Sequence, residues 1–129
     1  MRIKEKSCGC IIVKDGKVLL IEQVSGHWGF PKGHVEHDEE EEQTALREVK
    51  EETNLDVKII SNKRYVEKYI TDKGIDKEVV LFVAEPINEE IKMQEEEVSK
   101  IKWVSFEEAI NQITFEETKQ ILKQVLRDL

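Results

Sequence analysis

Apolar side chains cluster in short runs near the start of the chain, with polar residues between them. Residues 7–13 and 18–23 are rich in aliphatic side chains, and residues 14–17 between them have an Asp-Gly centre. An Asp-Gly pair between two such runs is typical of a tight hairpin turn, so the pattern predicts two antiparallel strands. Cys8 and Cys10 lie two positions apart, where a strand points both to one face. We interpret them as reduced packing residues rather than as a metal or redox pair.

The next apolar stripe has the spacing of a helix. Ala45, Leu46 and Val49 lie on one helical face, which predicts an amphipathic helix that ends near Thr53. Asp38 precedes three glutamates in the arrangement of an N-cap with an acidic third position, so we predict that the helix begins there. An acidic first turn also suits the positive end of the helix dipole.

Strand-like runs return in the second half of the chain. Residues 57–71 and 78–85 are separated by the Asp-Lys-Gly sequence of residues 72–74 and predict a long β-hairpin. Residues 101–104 predict a further short strand.

Two helices are predicted at the end of the chain. Ser105 precedes a helix that runs to about residue 113, and Thr114 precedes a last amphipathic helix. The apolar face of that helix comprises Phe115, Ile121, Leu122, Val125 and Leu126. Mixed strands with two or three helices predict a layered α/β architecture, and without a repeat or a low-complexity linker we expect one domain over residues 1–129.

The overall charge excludes some classes of partner. Charged residues make up 37% of the chain and the formal net charge is −8. Such a balance argues against non-specific nucleic-acid binding and against binding to an anionic membrane. The longest apolar run, residues 79–84, is far too short to span a bilayer, and no apolar signal segment is present at the start. We therefore expect a cytoplasmic protein that binds neither nucleic acid nor membrane.

Three glutamates of the first predicted helix share one face. Glu48 and Glu52 are four residues apart and Glu51 lies three from Glu48, so 3.6 residues per turn brings their carboxylates together. Like charges at these spacings repel each other. The spacing therefore predicts a hard divalent cation, which prefers oxygen ligands, against this face.

These glutamates belong to a longer pattern of fixed spacing. It begins at Gly33, continues through Glu39 and ends in residues 47–52, Arg-Glu-Val-Lys-Glu-Glu. The pattern resembles the Nudix box of the Nudix hydrolases. That box ends in glycine and an aliphatic residue, and here Asn54 and Leu55 occupy those positions. Asparagine is the next-best residue for a left-handed conformation after a helix, so the departure preserves the geometry.

The resemblance implies a fold as well as a site. It predicts a Nudix-type α/β/α sandwich, with a mixed β-sheet between helices and the box as a loop, a helix and a following loop. Residues 103–109, Trp-Val-Ser-Phe-Glu-Glu-Ala, are also of a kind common in the family. The resemblance therefore covers most of the chain. We interpret Trp103 itself as a packing residue.

Two segments outside the box resemble one subfamily. Residues 28–36 are similar to the corresponding segment of the asymmetrical diadenosine tetraphosphate hydrolases, and residues 114–119 are similar to their last helix. The resemblance implies that Lys32 and Lys77 contact phosphates and that Phe115 holds an adenine.

Four residues near these segments leave alternatives open. Some subfamily members have a tyrosine where we align Leu81. Because leucine lacks the aromatic ring, we expect this protein to bind the base more weakly than those members do. His34 is either a hydrogen-bonding partner of phosphate or a bystander. Trp28 either lines the substrate cleft or belongs to the core, and Phe115 either stacks on a base or packs with the other apolar residues of its helix.

The implied reaction is hydrolysis of a phosphoanhydride by water, for which the site must neutralise phosphate charge and position the water. The implied cofactor is Mg²⁺, with Mn²⁺ as the alternative and more than one ion expected, held by Glu48, Glu51 and Glu52. Arg47 resembles the family arginine that orients these carboxylates, and Glu39 is its expected partner.

A further carboxylate often completes the site in this family. Within residues 95–97 we favour Glu97 as a metal ligand or general base, because it directly precedes Val98, whose apolar side chain is expected to anchor the loop. The role stays open between ligand and base.

The sequence thus predicts a Mg²⁺-dependent pyrophosphohydrolase for a small nucleotide, and diadenosine tetraphosphate is the favoured substrate. The alternatives within the enzyme class are an oxidised nucleoside triphosphate, a nucleotide sugar and the 5′-triphosphate of RNA. A non-catalytic nucleotide sensor is the alternative of a different class, and the intact carboxylate set argues against it.

Overall fold

The computed structural model describes residues 3–129. In chain order, the elements are β1 (Lys4–Lys14), β2 (Lys17–Gln23), β3 (Trp28–Gly29), β4 (Lys32–His34), α1 (Glu41–Thr53), β5 (Val57–Ile59), β6 (Tyr65–Ile70), β7 (Asp76–Pro86), β8 (Val98–Ser105), α2 (Phe106–Gln112) and α3 (Glu116–Asp128). Within the described residues, no helix has both the length and the apolar character needed to cross a bilayer.

Strand β1 connects the two parts of the sheet. It pairs in parallel with β7 along one edge, and antiparallel with β4 and β2 along the other. Strands β5 and β6 pair antiparallel with the far edge of β7, while β2 also pairs antiparallel with β3 and β8. The sheet is therefore mixed, as the sequence predicts.

Helices cover both faces of this sheet. On one face, Ile11, Leu81 and other apolar side chains pack against Leu122 and Val125 of α3 and against residues of α2. We call this the cavity face. On the opposite face, which we call the α1 face, Val80 and Phe82 pack against the apolar side of α1. The α/β/α sandwich predicted from the sequence is confirmed.

The two cysteines lie in the core of the α1 face. Both thiols are free and buried. Burial raises the pKa of Cys10 to about 12 and that of Cys8 to about 11. Because the thiolate is the reactive form, these protonated thiols act as packing residues, as the sequence suggests.

The start of α1 was predicted wrongly. Its N-cap is Glu40 rather than Asp38, and Glu40 forms a capping box with Gln43. The preceding residues make a tight turn in which Glu36 accepts a hydrogen bond from the backbone of Glu39, and His37 has a φ of 49°. This turn delays the helix by two residues.

The start of α3 also differs from the prediction. Phe115 is the N-cap and has no side-chain capping bond. The Thr114 hydroxyl instead accepts a hydrogen bond from the Trp28 backbone at 2.8 Å, and the Thr114 backbone donates to the Trp28 carbonyl. A long-range partner has therefore replaced the local capping role. At α2, by contrast, Ser105 caps the helix as predicted.

The strands agree with the sequence in order but differ in extent. The hairpin around residues 72–74 forms between β6 and β7, and the predicted strand over residues 57–71 is interrupted between Ile59 and Tyr65. Strand β8 is longer than predicted. Strands β3 and β4 were not predicted, since each is very short and contains a glycine, and a proline lies between them.

Candidate active site

Helix α1 brings two buried glutamates to the edge of β4. Glu48 is 9% exposed and Glu52 only 2%. The backbone N–H of Lys32 donates to Oε1 of Glu52 at 3.0 Å, which fixes that carboxylate against the strand. The helix ends as predicted, because Asn54 has a left-handed φ of 67° and donates its backbone N–H to the Lys50 carbonyl.

Gly33 is required by the close approach of α1 to β4. A Cβ atom at this position would lie 2.0 Å from Cδ of Glu48 and within 2.3 Å of both its carboxylate oxygens. Any side chain would therefore displace the carboxylate. The box glycine thus makes room for the first glutamate of the acidic face.

Arg47 connects the carboxylates to one another. Its guanidinium donates from Nε and Nη2 to the two oxygens of Glu39, at 2.8 and 2.9 Å. Its Nη1 donates to Glu48 and to Glu51, both at 3.0 Å, and Nη2 also reaches the His34 carbonyl. The bidentate contact with Glu39 is the geometry in which arginine binds carboxylates most strongly.

The electrostatic state of these groups favours a bound cation. Burial, with the charge of Glu48 next, raises the pKa of Glu52 to about 8. Burial likewise raises the pKa of Glu48 above its usual range. In contrast, the hydrogen bond from Arg47 lowers the pKa of Glu39 to about 2. Two buried carboxylates that resist ionisation beside each other form an all-oxygen donor set that fits a hard divalent cation.

The four side chains expected to bind metal, Glu48, Glu51, Glu52 and Glu97, do not form a preorganised coordination sphere. Within residues 3–129, no group of three or more potential ligand side chains has the arrangement of a preformed metal site. Arg47 holds one oxygen each of Glu48 and Glu51. Glu97 is exposed at the start of β8, where its carbonyl accepts from the backbone of Val24. Its charge nevertheless contributes to the raised pKa values of Glu48 and Glu52.

A cavity of about 350 Å³ lies beside this acidic edge, on the cavity face. Its volume is within the range of roughly 300–1,000 Å³ that is usual for small-molecule sites. Trp28, Lys32 and Phe115 line it, and the buried side chain of Leu81 contributes to its apolar lining.

The aromatic residues of the cavity remain partly accessible. Phe115 is 48% exposed, and its ring meets that of His27 edge-on, with 4.8 Å between the ring centroids. Trp28 is half-buried and packs against the core as well as the cavity, with Nζ of Lys102 4.7 Å from its ring centroid. Trp28 therefore fits both alternatives, whereas Phe115 is not a core residue. Trp103 packs against the core of the α1 face, as predicted.

Lys77 and His34 do not line this cavity. Lys77 is buried, donates from Nζ to Oγ of Ser7 at 2.8 Å and lies 3.5 Å from Glu5. His34 is exposed, and its Nε2 is also 3.5 Å from Glu5. In the register of the sheet, Lys77 pairs with Glu5 and Lys32 pairs with Gly9, so their backbones lie at different positions along β1, although the charge of Lys77 is near enough to lower the pKa of Lys32.

Several cavity residues were missed by the sequence analysis. Glu67 and Tyr69 of β6, Thr118 of α3 and the preceding Glu117 all line the cavity, as does His27. The signal for Glu67 was available, because strand alternation places it on the same face as Tyr65 and Tyr69. A glutamate between two aromatic residues at inward positions is unusual for a strand.

Comparison with known proteins identifies the family. The NUDIX domain profile matches residues 4–129. The chain belongs to the Nudix family. The asymmetrical bis(5'-nucleosyl)-tetraphosphatase of Mus musculus is 32% identical over 136 aligned positions, which cover 92% of this chain and 91% of the mouse protein. Nudix hydrolase 6 of Arabidopsis thaliana is 33% identical over 77% of this chain, but the chain spans only 38% of the length of that protein.

A solved structure agrees with this Nudix assignment. The Ap4A hydrolase of C. elegans, in a binary complex, has a TM-score of 0.86, with 28% identity and 96% of each chain covered. The protein is therefore a Nudix hydrolase, a pyrophosphohydrolase. Enzymes of this family generally use divalent metal ions such as Mg²⁺ and act on small nucleotides.

Proposed function

We propose that this Nudix hydrolase cleaves diadenosine tetraphosphate asymmetrically, to ATP and AMP, in a reaction that depends on Mg²⁺. The observation that carries the proposal is that Lys32 contacts both parts of the site. Its backbone N–H binds Glu52 of the acidic helix, while its side chain lines the aromatic cavity. A polyphosphate held by Lys32 therefore extends from the acidic edge to a site suited to a purine.

On the acidic side, we assign Glu48, Glu51, Glu52 and Glu97 as the groups that hold Mg²⁺, with more than one ion expected. When bound, the ions supply positive charge to the phosphate chain and make water a better nucleophile at neutral pH. Glu97 is exposed, so it is also the candidate general base for a water molecule approaching from solvent.

Arg47 is assigned as a positioning residue. Its guanidinium is held by the two-point contact with Glu39, which leaves Nη1 to orient Glu48 and Glu51. A lysine has no planar group and cannot make these contacts together.

On the substrate side, Lys32 is assigned to the phosphates. Burial lowers the pKa of Lys32, with the nearby charge of Lys77 as the next cause, and a bound phosphate would oppose this shift by favouring the charged ammonium group. Lys77 and His34 are proposed to contact the far end of the phosphate chain, from the patch around Glu5. This assignment is supported by the resemblance and by the length of a tetraphosphate.

The purine is proposed to bind among Trp28, Phe115 and Tyr69. Leu81 replaces the tyrosine of some relatives, but Tyr69 from the neighbouring strand supplies an aromatic ring to the same cavity. We propose that residues 1–129 act as one Nudix domain, and the cytoplasmic location stays a prediction.

The test is to incubate the protein with diadenosine tetraphosphate and Mg²⁺ and to separate the products by ion-exchange chromatography. The expected products are ATP and AMP in equal amounts. Two ADP molecules per turnover would refute asymmetric cleavage. Rapid hydrolysis of a nucleotide sugar or nucleoside triphosphate, without cleavage of diadenosine tetraphosphate, would assign the enzyme to another substrate.

The catalytic assignment has its own matched pair of variants. Glu52→Gln keeps the volume and the acceptor for Lys32 but removes the charge, so it should abolish nearly all turnover. Glu42→Gln makes the same chemical change on the exposed side of α1 and should retain it. Equal activity of the two variants would contradict the assignment, and inactivity of the wild type with every nucleotide tested would favour a non-catalytic sensor.

A further inference from the structure

Glu67 is a buried acid whose role the hydrolysis of a phosphate chain does not explain. It is 6% exposed, yet it lines the cavity proposed for the base. The alternation of β6 turns it towards the cavity face, opposite Val79 of β7. Among the described residues its one hydrogen bond comes from the Thr118 hydroxyl of α3, at 3.3 Å. A carboxylate has about four acceptor positions, so most of its hydrogen-bonding capacity is uncommitted.

The surroundings of Glu67 differ from those of the metal-binding carboxylates. Its neighbours in the cavity are Tyr69 of its own strand, Thr118 and Glu117 of α3 and, from β4, Lys32. Among the ion pairs of the described residues none joins Glu67 to Lys32, whose charge nevertheless acts on the carboxyl group. The carboxyl group is thus available to a ligand in the cavity.

We propose that Glu67 is the residue that discriminates between purine bases in this cavity, through hydrogen bonds from its carboxyl group to the polar edge of the base. The proposal rests on the function proposed above in so far as the ligand is a purine nucleotide. It adds a specificity residue to the stacking contacts, which are themselves tolerant of any base.

The two purines present different edges to a carboxyl group. Guanine offers N1–H and N2–H side by side, and an ionised carboxylate accepts both. Adenine offers an N6–H donor beside the N1 lone pair, so an ionised carboxylate gains one bond and faces a repelling acceptor. A neutral carboxyl group both donates and accepts, and it therefore matches adenine and can also pair with O6 and N1–H of guanine. Ionisation of Glu67 consequently favours guanine over adenine.

The surroundings of Glu67 raise the pH at which its carboxyl group ionises. Burial raises the pKa of Glu67, and the charge of Glu117 acts in the same direction. The hydrogen bond from Thr118 and the charge of Lys32 oppose this rise. From β7, the ammonium group of Lys77 is directed to Ser7. The pKa of Tyr69 is raised, chiefly by burial and then by Glu67, so this phenol remains neutral while Glu67 titrates.

The test measures binding rather than turnover. The dissociation constants of the α,β-methylene analogues of ATP and GTP are determined by calorimetry at fixed Mg²⁺ and at several pH values. For the wild type we expect the preference for the guanine analogue to increase about tenfold between about pH 5 and pH 8.5, the effect of one bidentate pair. Titration of the metal-binding carboxylates affects both analogues through their common phosphates and cancels in the ratio.

Three variants separate base recognition from other roles. Glu67→Gln cannot ionise, so its preference should be independent of pH. Thr118→Val removes the hydrogen bond to the carboxylate and should move the change in preference to higher pH. Glu117→Gln is the matched control, since it removes a neighbouring charge from the same cavity and should retain a pH-dependent preference.

Three results would overturn the proposal. One is a wild-type preference that does not change with pH. Another is a Glu67→Gln variant whose melting temperature shows that it is folded but which binds both analogues more weakly by the same factor. That result would make Glu67 a counter-ion of Lys32. The third is that neither analogue binds to the protein. If diadenosine tetraphosphate is not cleaved but the analogues bind as expected, the substrate proposal fails and the role of Glu67 stands.

Discussion

The close contact between Gly33 and Glu48 makes Gly33→Ala a sharp test of the acidic site. The new Cβ would lie 2.0 Å from the carboxylate carbon, so the carboxylate must move by roughly 1.5 Å to reach an ordinary carbon–carbon contact. A displacement of about 1 Å at a reacting site costs about 10²-fold in rate. This corresponds to about 2.7 kcal/mol of activation free energy. Because the required shift is larger than 1 Å, we expect kcat to fall by at least this factor and the half-saturating Mg²⁺ concentration to rise.

The assay measures phosphate release or product formation across a Mg²⁺ titration, together with the melting temperature. Gly29→Ala is a matched control, because a Cβ there has no neighbour within 4 Å and the backbone does not need a positive φ. It should leave the half-saturating Mg²⁺ concentration unchanged. If Gly33→Ala had wild-type kcat and Mg²⁺ dependence, the position of the Glu48 carboxylate would be irrelevant to the reaction.

Three other predictions concern pH, phosphate binding and packing. In metal-free protein the pKa of Glu52 is about 8 in the folded state and about 4.3 in the unfolded state. Between these two pH values the folded state binds more protons than the unfolded state. The free energy of unfolding therefore falls as the pH rises through this range. Urea denaturation in chelator should show this slope in the wild type and a reduced one in Glu52→Gln; identical slopes would contradict the burial argument. Lys32→Met should lower kcat/KM by about 10²-fold with little effect on melting temperature, and unchanged kinetics with a lower melting temperature would make Lys32 structural. Gly9→Ala should lower the free energy of unfolding by about 1–3 kcal/mol in the same denaturation assay, because its Cβ would lie 2.1 Å from the Pro31 carbonyl oxygen. An unchanged free energy of unfolding would show that β1 and β4 separate easily.

Local patterns predicted the elements whose determinants lie close together in sequence. The first hairpin forms at residues 14–17 because Asp15 and Gly16 both adopt the positive φ that its turn needs. Helix α1 ends at Asn54 for the same kind of local reason. Its acidic face could be predicted because helical periodicity alone brings Glu48 and Glu52 together.

Long-range contacts account for most of what the sequence could not show. Thr114 is a good helix cap by residue type, but the backbone of Trp28, 86 residues away, takes its hydroxyl. The register of β1 and β7 brings Lys77 to Ser7 and Glu5, two contacts that the sequence did not predict, and its role at the phosphates stays a prediction. Strand alternation alone marks Glu67 as an inward-facing acid, but its place in a cavity depends on α3, whose Thr118 packs against it.

The pair of hydrogen bonds between Trp28 and Thr114 has a mechanical consequence. Trp28 of β3 forms one aromatic side of the cavity, and Phe115, at the start of α3, forms the other. The two hydrogen bonds connect β3 to Thr114, which directly precedes Phe115. These two sides therefore move as one body. A bulky nucleotide that needs a wider entrance is expected to gain it at the turn between β6 and β7, where the Thr71 N–H donates to Ile75 and the Gly74 N–H donates to Thr71. Amide hydrogen exchange should accordingly be slow at Trp28 and Thr114 and faster at Asp72, whereas the Thr71 amide is protected by its hydrogen bond to the Ile75 carbonyl.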